Sequence, residues 1–116
     1  MNSTFFPETG IGLETLVEGR LSRRIKAHAG RLMMVEVHFE NGAEGAAHEH
    51  PHEQATYCLV GEFEFTVGEE TRVLRPGDSV YIRGGQRHGT KCLAKGRLLD
   101  VFTPQREDFL GTKERP

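Results

Sequence analysis

The sequence predicts an all-β fold, a sandwich or barrel of short strands in a single domain spanning residues 1–116. Two observations lead there. Apolar residues recur at every second position along much of the chain, and turn-forming residues interrupt those runs at short intervals. With 116 residues, the chain is long enough to enclose one core.

The first fourteen or so residues hold two Phe, a Pro and two Gly without clear period, and read as an irregular arm before a barrel at about 15–110. Met33, Val35, Val37 and Phe39 then alternate with Met34, Glu36, His38 and Glu40, the pattern of a half-buried strand. Phe63, Phe65 and Val67 alternate with Glu62, Glu64 and Thr66 in the same way. Val73, Val80 to Ile82 and Leu98 to Phe102 supply further strands. Turns are expected at Asn41-Gly42, Gly68, Arg75-Pro76-Gly77-Asp78, Gly84-Gly85 and Lys95-Gly96. Pro76-Gly77 suits a type II turn, since Pro fixes φ at the first central position and Gly accepts positive φ at the second. Only Glu107 to Lys113 has the makings of a helical turn.

Composition excludes several classes. A net charge of −2 and a pI near 6.3 lack the basic footprint of a nucleic-acid binder. Arg23, Arg24 and Lys26 form the densest basic cluster and read as a solvated strand face, with Arg24 or Lys26 at the cavity mouth as an open alternative. The N-terminus lacks a basic leader followed by an apolar run, and no stretch is apolar for long enough to span a bilayer; a cytoplasmic protein is expected. Cys58 and Cys92, both in apolar surroundings, read as buried free thiols of a reducing compartment. Exposed strand edges favour a homodimer.

The segment GAAHEHPHEQ, residues 45–54, places His48, His50 and His52 within five positions. On a strand, His48 and His50 point to one face and can share an ion, and Gln54 joins them if the chain bends at Pro51. His88, after Gly84-Gly85-Gln86-Arg87, is the natural fourth ligand from a distant strand. Spacing alone leaves a solvated histidine-rich loop as an equal reading. His28 and His38 read as half-buried strand histidines, and Tyr81 as a core residue before a substrate contact.

Beyond that segment the order of residues resembles the two signature motifs of the cupin superfamily. His48, His50, Gln54 and Gly61 match the first motif, and Gly77, Gly85 and His88 match the second. Arg83 stands where the family usually has Pro, and Cys92 where it often has Asn. The resemblance implies a jelly-roll barrel, a double-stranded β-helix, holding one divalent transition metal ion on His48, His50, Gln54 and His88. It assigns no ligand role to His52. Such a set is neutral, so the ion keeps its full charge for Lewis-acid work; Ni, Zn, Fe, Co and Mn all remain candidates.

Leu32–Glu40, His50–Gln54 and the stretch DVFTPQREDFL at 100–110 are similar to the small pectin-degradation cupins of the KdgF family, over roughly residues 15–110. That resemblance implies a small-molecule substrate, a 4,5-unsaturated uronate, opened to a linear 5-keto-4-deoxyuronate. It also carries activity onto Asp100, Phe102 and Arg106. Independently, Leu98, Asp100 and Phe102 share one strand face, and an acid among large apolar neighbours is costly without a partner or a function. Arg106 suits a bidentate pair with a carboxylate that fixes the substrate's register, with a plainer reading as a surface partner of Glu107 or Asp108. Two rival functions are a metal-dependent dioxygenase and a non-catalytic sugar-binding cupin. A sensor of the latter kind is expected to carry a DNA-binding helix-turn-helix, for which 116 residues leave no room.

Overall fold

A computed structural model describes residues 4–111. After a short 3-10 turn at Glu8–Gly10 come eight strands: β1 (Glu14–Val17), β2 (Leu21–Ala29), β3 (Leu32–Phe39), β4 (Glu44–His48), β5 (Glu53–Val67), β6 (Glu70–Leu74), β7 (Ser79–Ile82) and β8 (His88–Thr103). One short helix, α1 (Glu107–Gly111), follows; residues 112 and 113 of the expected helical turn lie outside the described residues. The all-β expectation holds, and the alternations at 33–39 and 63–67 fall in β3 and β5.

Every recorded strand pairing is antiparallel, and the main path runs β1-β2-β3-β8-β5-β6, with β4 on β8 and β7 on β5. The long strands β5 and β8 make this path a barrel. The C-terminal half of β8 lies between β3 and the first half of β5, while its N-terminal half lies between β4 and the second half of β5. Each strand therefore crosses from one layer to the other. The pairing is irregular where they cross, between Cys58 and Phe63.

Glycine makes that crossing possible. Gly61 has φ +91, and a Cβ on Gly96 would lie 1.9 Å from the carbonyl oxygen of Val60. Gly96→Ala is therefore expected to cost about 3 kcal/mol in urea unfolding, whereas Gly10→Ala, with open space around it, should stay near neutral. The Arg75–Asp78 turn forms as expected, with Gly77 at φ +96 and the Asp78 amide donating to the Arg75 carbonyl at 2.9 Å.

The register stacks side chains in rows across the interior. Met33, Phe102, Gln54 and Ile82 form one row, and Val35, Asp100 and Thr56 the next. Phe39, Phe63, Phe65, Ile82 and Leu98 with both thiols make the larger apolar cluster; Met33, Val35 and Phe102 make a smaller one under α1. Cys58 and Cys92 are free and buried, and burial pushes both thiols upward. Among the described residues no helix is long and apolar enough to cross a membrane.

Candidate metal centre and cavity

Pairing of β4 with β8 sets His48 directly opposite His88, with ring centroids 4.5 Å apart. This joins the two separated histidine segments. His50 does not share a strand with His48 as its spacing suggests: β4 ends at His48, and His50 lies in the loop before β5. It still converges, 4.7 Å from the His88 ring and 5.4 Å from that of His48. The loop is held against the turn before His88, where the Gly85 amide donates to the His50 carbonyl at 2.7 Å. A Cβ on Gly84 would meet the Pro51 carbonyl oxygen at 2.4 Å, so this close approach requires a glycine.

The ring nitrogens have an order that suits a cation. Nδ1 of His48, His50 and His88 faces the carbonyl of Ala46, His52 and Gln86 at 2.7, 3.1 and 2.9 Å. These carbonyls can only accept, so in the neutral ring each Nδ1 carries the proton and each Nε2 presents a lone pair. Nε2 of His88 is buried without a partner among the described residues. Nε2 of His50 faces Oε1 of Gln54 at 2.9 Å, while the Gln54 amide nitrogen donates to Thr56 Oγ1 at 2.8 Å. Two lone pairs at that distance repel unless a positive charge stands between them. Burial lowers the His50 pKa and so opposes a proton there. One ligand atom from each of His48, His50 and His88 lies within 4.8 Å of the others. These residues fit a metal ion, and Gln54 adds a carbonyl oxygen beside them.

Burial also lowers His88, to about 4, against the Gln86 carbonyl that favours the charged ring; the charges of His48, His50 and Arg106 lower it further. Between its ordinary value of 6.5 and about 4, the unfolded chain binds a proton that the folded ring refuses. The contribution of His88 to folding therefore falls as pH falls through that window, by about 1.4 kcal/mol per pH unit at most. Asp100, raised to about 6, acts in the opposite sense. The contrast with His88→Gln isolates the imidazole: in chelated protein, urea unfolding should show the wild type losing stability relative to the variant as pH falls from 6.5 toward 4.

A cavity of about 140 Å³, partly open to solvent, is lined by His48, Gln54, His88, Asp100, Phe102 and Arg106. The structure thus brings the catalytic candidates to the same space as the ligand candidates. Asp100 lies opposite Thr56 in the register and accepts a 2.6 Å hydrogen bond from its Oγ1. Burial raises the Asp100 carboxyl to about 6, with Thr56, the Arg106 charge and Gln54 opposing the rise. Phe102 packs edge-on to His50 at 5.8 Å. Arg106 satisfies both readings: its Nε and Nη2 fork onto Asp108 at 3.1 and 2.9 Å, yet its side chain is only 13% exposed and lines the cavity.

Other expectations need correction. Arg23 is not on a solvated face; its side chain is 11% exposed, paired with Glu14, and lines the cavity. Arg24 and Lys26 instead reach Glu8 outside it. The missed signal was the period itself, because Arg23 falls between Leu21 and Ile25 on the inward face, just as Asp100 falls between Leu98 and Phe102. Tyr81 is 59% exposed, with its hydroxyl on Glu53, and joins neither core nor cavity. His28 and His38 are strand histidines bonded to Gln105 and Glu36. His52 stands beside His50 and Phe102 but outside the histidine cluster.

A strand barrel holding inward imidazoles from two separated segments is the architecture of the cupins, and the family described as Cupin domain matches residues 35–102. The chain is 40% identical over 99 residues to the pectin degradation protein KdgF of Dickeya dadantii (strain 3937), covering 84% of this chain and 89% of that protein. The solved structure of KdgF from Halomonas sp. superposes with a TM-score of 0.86 at 34% identity, over 93% of this chain and 99% of that one. An RmlC-like cupin from Shewanella frigidimarina NCIMB 400 gives a TM-score of 0.88 at 36% identity, over 93% and 96%. The chain belongs to the cupin superfamily and, within it, to the KdgF family.

Proposed function

We propose that this protein is a metal-dependent pectin-degradation enzyme that opens 4,5-unsaturated uronate monosaccharides to linear 5-keto-4-deoxyuronates. The observation that carries the reading is the meeting of a poised carboxyl, Asp100, with a three-imidazole cluster around one cavity. Its likeness to KdgF, a pectin degradation protein, supplies the substrate class.

His48, His50, His88 and Gln54 would hold the ion. When bound it supplies Lewis-acid stabilisation of negative charge on a substrate oxygen. Asp100, its carboxyl raised by burial to about 6, takes the proton of the hemiacetal hydroxyl at C1. The C1–O5 bond then breaks, C1 becomes an aldehyde, and the bond electrons leave C5 as an enolate. Asp100 returns the proton to C4, and C5 becomes a ketone. Atoms and electrons balance without an oxidant. Thr56 Oγ1 holds the Asp100 carboxylate in place between the two transfers. Phe102 offers an apolar wall for the ring and limits water, while Arg106 adds positive charge at the cavity wall.

The test is incubation with 4,5-unsaturated galacturonate, following loss of the ultraviolet absorbance of the C4=C5 bond. Metal-loaded protein should accelerate the loss well above a no-enzyme control. No acceleration, or oxygen uptake in step with substrate, overturns the reading in favour of a binding module or an oxygenase respectively. The reading extends to a cytoplasmic location and to a homodimer, the dimer supported by exposed Tyr57 and Tyr81 on adjoining strands and tested by light scattering.

A further inference from the structure

The cavity wall holds two guanidinium groups, from Arg23 and Arg106, against one acid, Asp100. That balance favours an anionic ligand. The two arginines are committed differently. Asp108 takes Arg106 as a fork, through both Nε and Nη2. Glu14 takes Arg23 through Nε alone, at 3.0 Å, which leaves the four N–H groups of its Nη edge outside that contact. This is the edge that binds a carboxylate with two parallel hydrogen bonds.

Arg23 is also fixed in direction. Its guanidinium carbon lies 3.8 Å from the centre of the Phe109 ring, which Arg106 approaches at 4.3 Å. The backbone partner of Arg23 on β3 is Val37, which lines the same cavity. Glu14 on one side and Phe109 on another hold the rotamer before a ligand arrives, which lowers the ordering entropy that binding costs.

We propose that Arg23 recognises the carboxylate of the uronate substrate through its Nη edge, with Glu14 and Phe109 as the residues that aim it. The inference rests on the reaction proposed above and adds the group that selects acids over neutral sugars. Arg106, spoken for by Asp108, contributes charge to the same wall and not the forked contact.

Steady-state kinetics of Arg23→Gln and Arg23→Lys on 4,5-unsaturated galacturonate and on its methyl ester test this, with metal content and thermal midpoint as folding controls. A charged hydrogen-bonded contact predicts a KM for the acid raised about 10- to 100-fold in Arg23→Gln, with kcat changed much less. Arg23→Lys should recover part of the loss, since it keeps the charge but not the fork. For the methyl ester, wild type and Arg23→Gln should perform alike, because the ester presents no anion. A wild type that favours the acid no more than the ester overturns the proposal without need of any variant. An active wild type whose Arg23→Gln variant keeps its KM for the acid overturns Arg23 alone. Wild-type protein inert toward both substrates overturns the reaction itself, and with it the substrate named for Arg23.

Discussion

Asp100→Asn is expected to lower turnover of 4,5-unsaturated galacturonate by about 10²- to 10⁴-fold, the usual share of a positioned proton carrier. Metal content should be unchanged, because Asp100 contacts Thr56 and stands outside the histidine cluster. The substitution is nearly isosteric, and the amide oxygen can still accept the bond from Thr56 Oγ1. It removes only the ability to take and return a proton. The raised pKa of about 6 makes the expectation sharper. Near that pH the wild-type carboxyl exists in both forms, so it can serve as base in one half of the reaction and as acid in the other. Turnover measured with equal metal loading in both proteins is the check. Undiminished turnover in the variant removes Asp100 from the mechanism.

His88→Leu is expected to abolish stoichiometric metal binding, and activity with it, while the metal-free protein still folds at neutral pH. The imidazole is buried, neutral and strongly resistant to protonation, and its Nε2 has no partner among the described residues. Nε2 has no bond to lose, and the loss of the Nδ1 bond to the Gln86 carbonyl costs about 1 kcal/mol, too little to unfold the domain. A ligand that binds only the folded state raises stability by about 2.7 kcal/mol at a hundredfold excess over its dissociation constant. Wild-type protein should therefore melt at a higher temperature when metal is added, and His88→Leu should not respond. Elemental analysis and thermal scans with and without chelator check both parts. A variant that retains one ion per chain would show that the imidazoles meet for some other reason.

Much of this could be read from residue order. Alternation at Met33–Phe39 and Phe63–Val67 marked strands because the pleat has a period of two and one face meets the core. The same rule placed Asp100 and Phe102 toward the interior, while it took the resemblance to the cupin motifs, beyond spacing alone, to mark His48, His50, Gln54 and His88 as a common site. The rule failed where the chain left a strand. His50 reaches the cluster from a loop, held by the Gly85 amide, and no periodic argument extends past Pro51.

Residue order by itself determined which side chains face inward, since that depends only on local backbone geometry and the burial of apolar groups. It therefore determined the strands and the inward acid. Only the tertiary structure decided what those inward groups meet. Contacts such as Arg23 with Phe109, Thr56 with Asp100 and His48 with His88 join residues far apart in the chain. They depend on strand order and on the crossing at Gly61 and Gly96, which many long-range pairings must agree on together.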